Sequence, residues 1–123
     1  MDERLALRLE LLRDSGRVPP EVASFVGEEL GLLAREGYVV TETTAGMLTG
    51  HLAMALTRLA DGEPVTRFLT DEAVTAELAG HPGATARARA LADRAALALG
   101  ASLPASEVNF LGMHLAVLAR QSR

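Results

Sequence analysis

Apolar residues in this chain recur at helical spacing, and each run stops at glycine or proline. Leu5, Leu9 and Leu12 fall on one side of a helix over residues 2–14, which Gly16 ends. Pro19-Pro20 opens a second helix, because proline suits a first turn. Its apolar stripe is Val22, Val26, Leu30 and Leu33, with Phe25 beside it. Glu21, Ser24, Glu28 and Arg35 form its wet side, and Gly37 ends it. A third helix, from about 43 to 60, turns Ala45, Leu48, Leu52, Leu56 and Leu59 inward. Thr41 to Thr44 supplies its N-cap, and Asp61-Gly62-Glu63-Pro64 is the turn that stops it. Val65 to Thr70 reads as a loop with Phe68 and Leu69 tucked inward. Thr70-Asp71-Glu72 caps a fourth helix, which breaks at Gly80-His81-Pro82-Gly83 and resumes over 84–99. There Ala84, Ala88, Leu91, Ala95 and Ala98 face inward and Arg87, Asp93 and Arg94 outward. Gly100 ends it, and a fifth helix runs from about 105 to 120. One β-leaning run, Tyr38-Val39-Val40, has no partner of similar strength and is expected to be an extended connector on the core. These features predict an all-α fold, a single domain over residues 1–123. Five helices with short connections favour a bundle of antiparallel neighbours.

Composition narrows the function. Hydrophobic residues make up 49% of the chain but aromatics only 3%, so leucine, alanine and valine must build the core. The net charge is -4 and every basic residue is arginine, which argues against a nucleic-acid binder. The absence of cysteine removes disulfides, thiolate metal sites and thiol nucleophiles, and fits a cytoplasmic protein. Met1-Asp2-Glu3-Arg4 is too charged for a signal peptide, and the uncharged run 43–57 is shorter than the roughly 20 residues of a membrane span. The chain is expected to be soluble, with no membrane partner.

The third helix carries the residues that a plain packing helix would not. His51 and Arg58 lie two turns apart and share a face, flanked by Met47 and Met54. Gly46, Gly50, Ala53 and Thr57 form a second face of small residues that another helix can approach closely. The last helix repeats the pattern: Phe110, Leu111, Val117 and Leu118 form a stripe with His114 in its middle, and Glu107 lies two turns earlier. Each of two helices therefore puts a histidine on or beside a packing face, with a charged residue seven positions away.

A single histidine on such a face is more often structural than functional. A metal reading draws its ligands from His51, His114 and Glu107, but the chain lacks a Glu-x-x-His or His-Glu-x-x-His spacing. A serine-hydrolase elbow is missing, and a P-loop needs a lysine that the chain does not have. A third reading is phosphoryl acceptance. A neutral imidazole is a good nucleophile near neutral pH, Arg58 offers a cation, and a phosphorylated ring becomes an anion on a packing face. His81, in a turn, has no assigned role. Arg87, Arg89 and Arg94 read as a solvated helix face, and Met47 and Met54 as core filler.

Two segments together resemble the PTS regulation domain, or PRD. The first is Thr49-Gly50-His51-Leu52, with Arg58 and then Gly62 after it. The second is Glu107-Val108-Asn109-Phe110-Leu111-Gly112-Met113-His114-Leu115. The match spans the chain from the second helix onward. The resemblance implies a five-helix bundle that forms homodimers, is not an enzyme and needs no cofactor. It implies histidines phosphorylated by the phosphocarrier HPr or by enzyme IIB of the bacterial sugar phosphotransferase system. On it, His51 and His114 are the phosphoacceptors, with Arg58 and Glu107 in support. One departure is Gly50, where the family often has an acidic residue. Better-known members carry two such domains behind an RNA- or DNA-binding domain, so this chain resembles the small single-domain members, whose output would be a partner protein. Two other readings stay open: a helical interaction or dimerisation module with structural histidines, and a small-ligand or metal-binding bundle.

Overall fold

The computed structural model describes residues 2–62, 76 and 78–122. Among them are five helices and no strand: α1 (Glu3–Asp14), α2 (Pro20–Arg35), α3 (Glu42–Ala60), α4 (Pro82–Leu99) and α5 (Ala105–Gln121). The fold is all-α, as the helical spacing predicts. Glu63-Pro64, the loop with Phe68 and Leu69, and the cap at Thr70-Asp71-Glu72 lie outside the described residues.

The helix ends follow from local chemistry. Thr41 and Thr44 form a reciprocal cap at the start of α3. The Thr44 N–H donates to Thr41 Oγ1 at 3.2 Å, and the Thr41 N–H donates to Thr44 Oγ1 at 3.0 Å. Asp2 Oδ2 accepts from the Glu42 N–H at 2.8 Å, and Arg8 pairs with the Glu42 carboxylate, so the beginning of the chain is fastened to the same turn. Gly100 ends α4 with φ +75, a backbone shape that a side chain resists.

Helix α3 lies at the centre, packed against α1, α2 and α5, while α4 packs on α5 and α2. The core is leucine, valine and alanine, with Leu5, Leu30, Leu33, Leu52, Leu56, Leu91 and Leu111 fully buried among others. Val40 joins the core and Tyr38 packs against it, as expected of the connector. The Val39 N–H donates to Ser122 Oγ at 2.8 Å and ties the connector to the end of α5.

Three expectations are corrected. The small-residue face of α3 is not an open strip: Gly46, Ala53 and Thr57 are buried inside this chain, because α3 has neighbours on several sides. Only Gly50 of the four leaves room, with nothing within 4 Å of an added Cβ. Ala98 is exposed, not inward. Arg87 and Arg94 are not a solvated face. Glu29 of α2 is 4% exposed, and both of its oxygens accept from Arg94 at 2.6 Å. Arg87 Nη2 lies 3.6 Å from the same carboxylate, and Arg87 Nε donates to Glu36 at 2.8 Å. Helices α2 and α4 pack together, so a carboxylate caught between them must recruit cations from the facing helix. The hydrogen bond to Glu29 raises the Arg94 pKa.

Candidate functional site

The four residues singled out in the sequence meet where α3 faces α5. Glu107 lies in the first turn of α5, where an acid suits the helix dipole, and is only 2% exposed. Phe110 and His114 follow at three and seven residues, on the same face. Across from them, α3 presents His51 and Arg58. His51 Nε2 lies 3.1 Å from Glu107 Oε2, and Arg58 Nη2 lies 3.8 Å from Glu107 Oε1. The His51 and His114 rings stack at 5.3 Å between centroids with 29° between planes. Phe110 touches both, at 4.4 Å from His51 and 5.1 Å from His114.

The charged partners therefore work between helices. Sequence spacing pairs His51 with Arg58 and Glu107 with His114; the fold joins one acid of α5 to both residues of α3. The His51 ring is oriented from the other helix, by Glu107.

His51 Nε2 and Glu107 Oε2 share a hydrogen bond, which a carboxylate can only accept, so the acid favours the proton on Nε2. The His114 pKa is pushed below the usual imidazole value, first by burial and then by the charge of His51. His114 is thus neutral at neutral pH, with a lone pair to offer. The ion pair with Arg58 is loose. Arg58 Nε and Glu107 Oε1 are both buried without a hydrogen-bond partner, and the Arg58 side chain is 32% exposed. That guanidinium has an unspent donor beside the carboxylate that holds His51.

The rings border an apolar surface. Phe110, Met113, His114 and Val117 line a shallow pocket of about 160 Å³, and Val117 is 40% exposed. Met47, expected as core filler, is 82% exposed, since it points away from the three helices that cover α3; Met54 does pack against the core. His81 occupies the N-cap position of α4. Among the described residues, no group of three or more histidine, cysteine or acidic side chains is arranged to hold a metal ion. No helix of the described residues is long and apolar enough to cross a membrane. Sequence reasoning missed Glu29 altogether; its position on the side of α2 next to Val22, Val26 and Leu33 was the available signal. Comparison with protein-family models, with curated proteins and with solved structures returned no match.

Proposed function

We propose that this chain is a non-enzymatic regulatory phosphoacceptor, phosphorylated on His51 and His114 by a phosphohistidine donor of the sugar phosphotransferase system, HPr or enzyme IIB. The observation that carries the reading is the stacked histidine pair with a buried acid on one ring and an under-used arginine beside it. Glu107 fixes the tautomer of His51 as the carboxylate of a catalytic triad fixes its histidine. Arg58 can turn from its loose contact with Glu107 toward a phosphoryl group, a charge-assisted bond stronger than a neutral one. The apolar pocket at Phe110, Met113 and Val117 gives a donor protein a surface to seat on while it presents its own ring. The reading places the protein in the cytoplasm of a bacterium, as a homodimer, acting on transcription through an output protein. The exposed Met47 and open Gly50 are the parts of α3 left for a second copy or a partner.

The test is incubation with phosphoenolpyruvate, enzyme I and HPr, with and without an enzyme IIB. The expected product is a phosphoprotein labile in acid and stable in alkali, and Arg58→Ala slows its formation at His51 while sparing His114. A protein that takes no label from any donor of the system refutes the reading.

One observation favours a competing reading. Glu107 is 2% exposed, so the contact of His51, Glu107 and Arg58 also serves as a polar clasp between α3 and α5. A helical interaction module with structural histidines would show that clasp and no label.

A further inference from the structure

The two rings are too close to be independent. Their centroids are 5.3 Å apart with Phe110 packed on both, and Glu107 is already hydrogen-bonded to one of them. The charged side chains that the described residues place at the pair are Glu107 and Arg58, which cancel each other. We propose that His51 and His114 together form one phosphoryl site, which holds a single phosphoryl group per chain, on one ring or on the other. The proposal rests on the phosphoacceptor reading and sets its stoichiometry.

Transfer conserves atoms and charge without a co-reactant. The P–N bond of the donor phosphohistidine breaks as the acceptor lone pair forms a new P–N bond. The donor ring, protonated on its other nitrogen, leaves as neutral imidazole. The acceptor ring keeps its own N–H and becomes the protonated phosphohistidine, so the group that moves carries one net negative charge. The transferred phosphoryl group is itself a dianion on a ring that keeps its N–H, so the site becomes more negative by one charge, and by two if that proton is released. On His51, Arg58 is the cation that the described residues offer to meet the added charge. A second would arrive within one Debye length of the first, about 8–10 Å at physiological salt. At about 8 Å in the dielectric of bulk water each pair of unit charges repels by about 0.5 kcal/mol, and by more where the rings are buried, so the second transfer is disfavoured by about twofold or more. The partly buried rings have less screening than water gives. Charge on His51 already lowers the proton affinity of His114.

Exhaustive phosphorylation of the full chain with phosphoenolpyruvate, enzyme I and HPr, followed by intact mass measurement at alkaline pH, tests the proposal. The expected wild-type product carries one phosphoryl increment, and peptide mapping finds it divided between the peptides of His51 and His114. His51→Ala and His114→Ala each still accept one. A wild-type species with two increments as the main product overturns single occupancy while leaving the phosphoacceptor reading intact. Label confined to one histidine in wild type and variants overturns the shared site. Absence of any label overturns the functional reading and this proposal with it. A second arm avoids deleting a ring without replacement: His114→Asp should accept phosphoryl at His51 several-fold more slowly than His114→Asn, and equal rates refute the electrostatic argument.

Discussion

Replacing Glu107 by glutamine separates a carboxylate kept for chemistry from one kept for stability. Glu107 is 2% exposed, with one oxygen hydrogen-bonded to His51 at 3.1 Å and the other 3.8 Å from Arg58 with no hydrogen bond. Neutralising it forfeits a charge-assisted hydrogen bond, worth about 1.5–3 kcal/mol. The loose pair with Arg58 adds about 0–1 kcal/mol, because the arginine is a third exposed and solvent screens it. Against this, the substitution relieves the burial of a charge, which costs several kcal/mol per ion. The terms nearly cancel, so Glu107→Gln is expected to change stability by less than about 1 kcal/mol in either direction. Arg58→Met behaves differently, since it leaves the carboxylate buried with His51 alone. Breaking a fully buried pair costs about 3–5 kcal/mol, and the length and exposure of this one reduce the expected loss to about 1–2 kcal/mol. Urea unfolding at pH 7.5 reads both, as shifts in midpoint at constant slope. A loss above about 3 kcal/mol for Glu107→Gln, or none for Arg58→Met, refutes the reasoning and makes Glu107 a structural acid.

Three further outcomes follow from the geometry and a fourth from the proposed function. Arg94→Met strands Glu29 with only Arg87 at 3.6 Å and should cost about 2–4 kcal/mol, most of it recovered in the Glu29→Met, Arg94→Met double variant; urea midpoints measure both. The depressed pKa of His114 means that the unfolded chain takes up this proton more readily than the folded one. Its contribution to stability is therefore complete above the unfolded value of about 6.5 and is lost as pH falls through and below it, by at most about 1.4 kcal/mol per pH unit; His114→Gln should remove that slope between pH 7.5 and 5.5. Gly50→Ala fills open space in the middle of α3 and should stabilise by about 0.5–1 kcal/mol in thermal unfolding. Sedimentation of the unmodified chain should show a homodimer at micromolar concentration, weakened by Gly50→Leu if α3 contributes to the contact; a monomer refutes the association.

The helices were legible because their signals are local. Apolar periodicity and the Gly and Pro stops fall within a few residues of each other, so α2, α3 and α5 lie within about a turn of their expected bounds. The histidines were legible for the same reason, as polar residues in apolar stripes. Their partners were not. Spacing along a helix shows which residues share a face but not which face of another helix they meet, so Glu107 was assigned to the line of His114 and proved to hold His51. Glu29 was invisible because a lone acid beside a stripe looks the same whether the neighbouring surface is solvent or α4. The small-residue strip misled for a related reason. Its close approach is real, but the helices that use it belong to the same chain.

The most direct measurement of the central claim is phosphoryl transfer from HPr or enzyme IIB to four forms of the chain: wild type, His51→Ala, His114→Ala and the double variant, with His81→Ala as a control. Acid-labile, alkali-stable label is expected on the wild type, on both single variants and on the control, and none on the double variant. Label that persists in the double variant, or no label on the folded wild-type chain, contradicts the account.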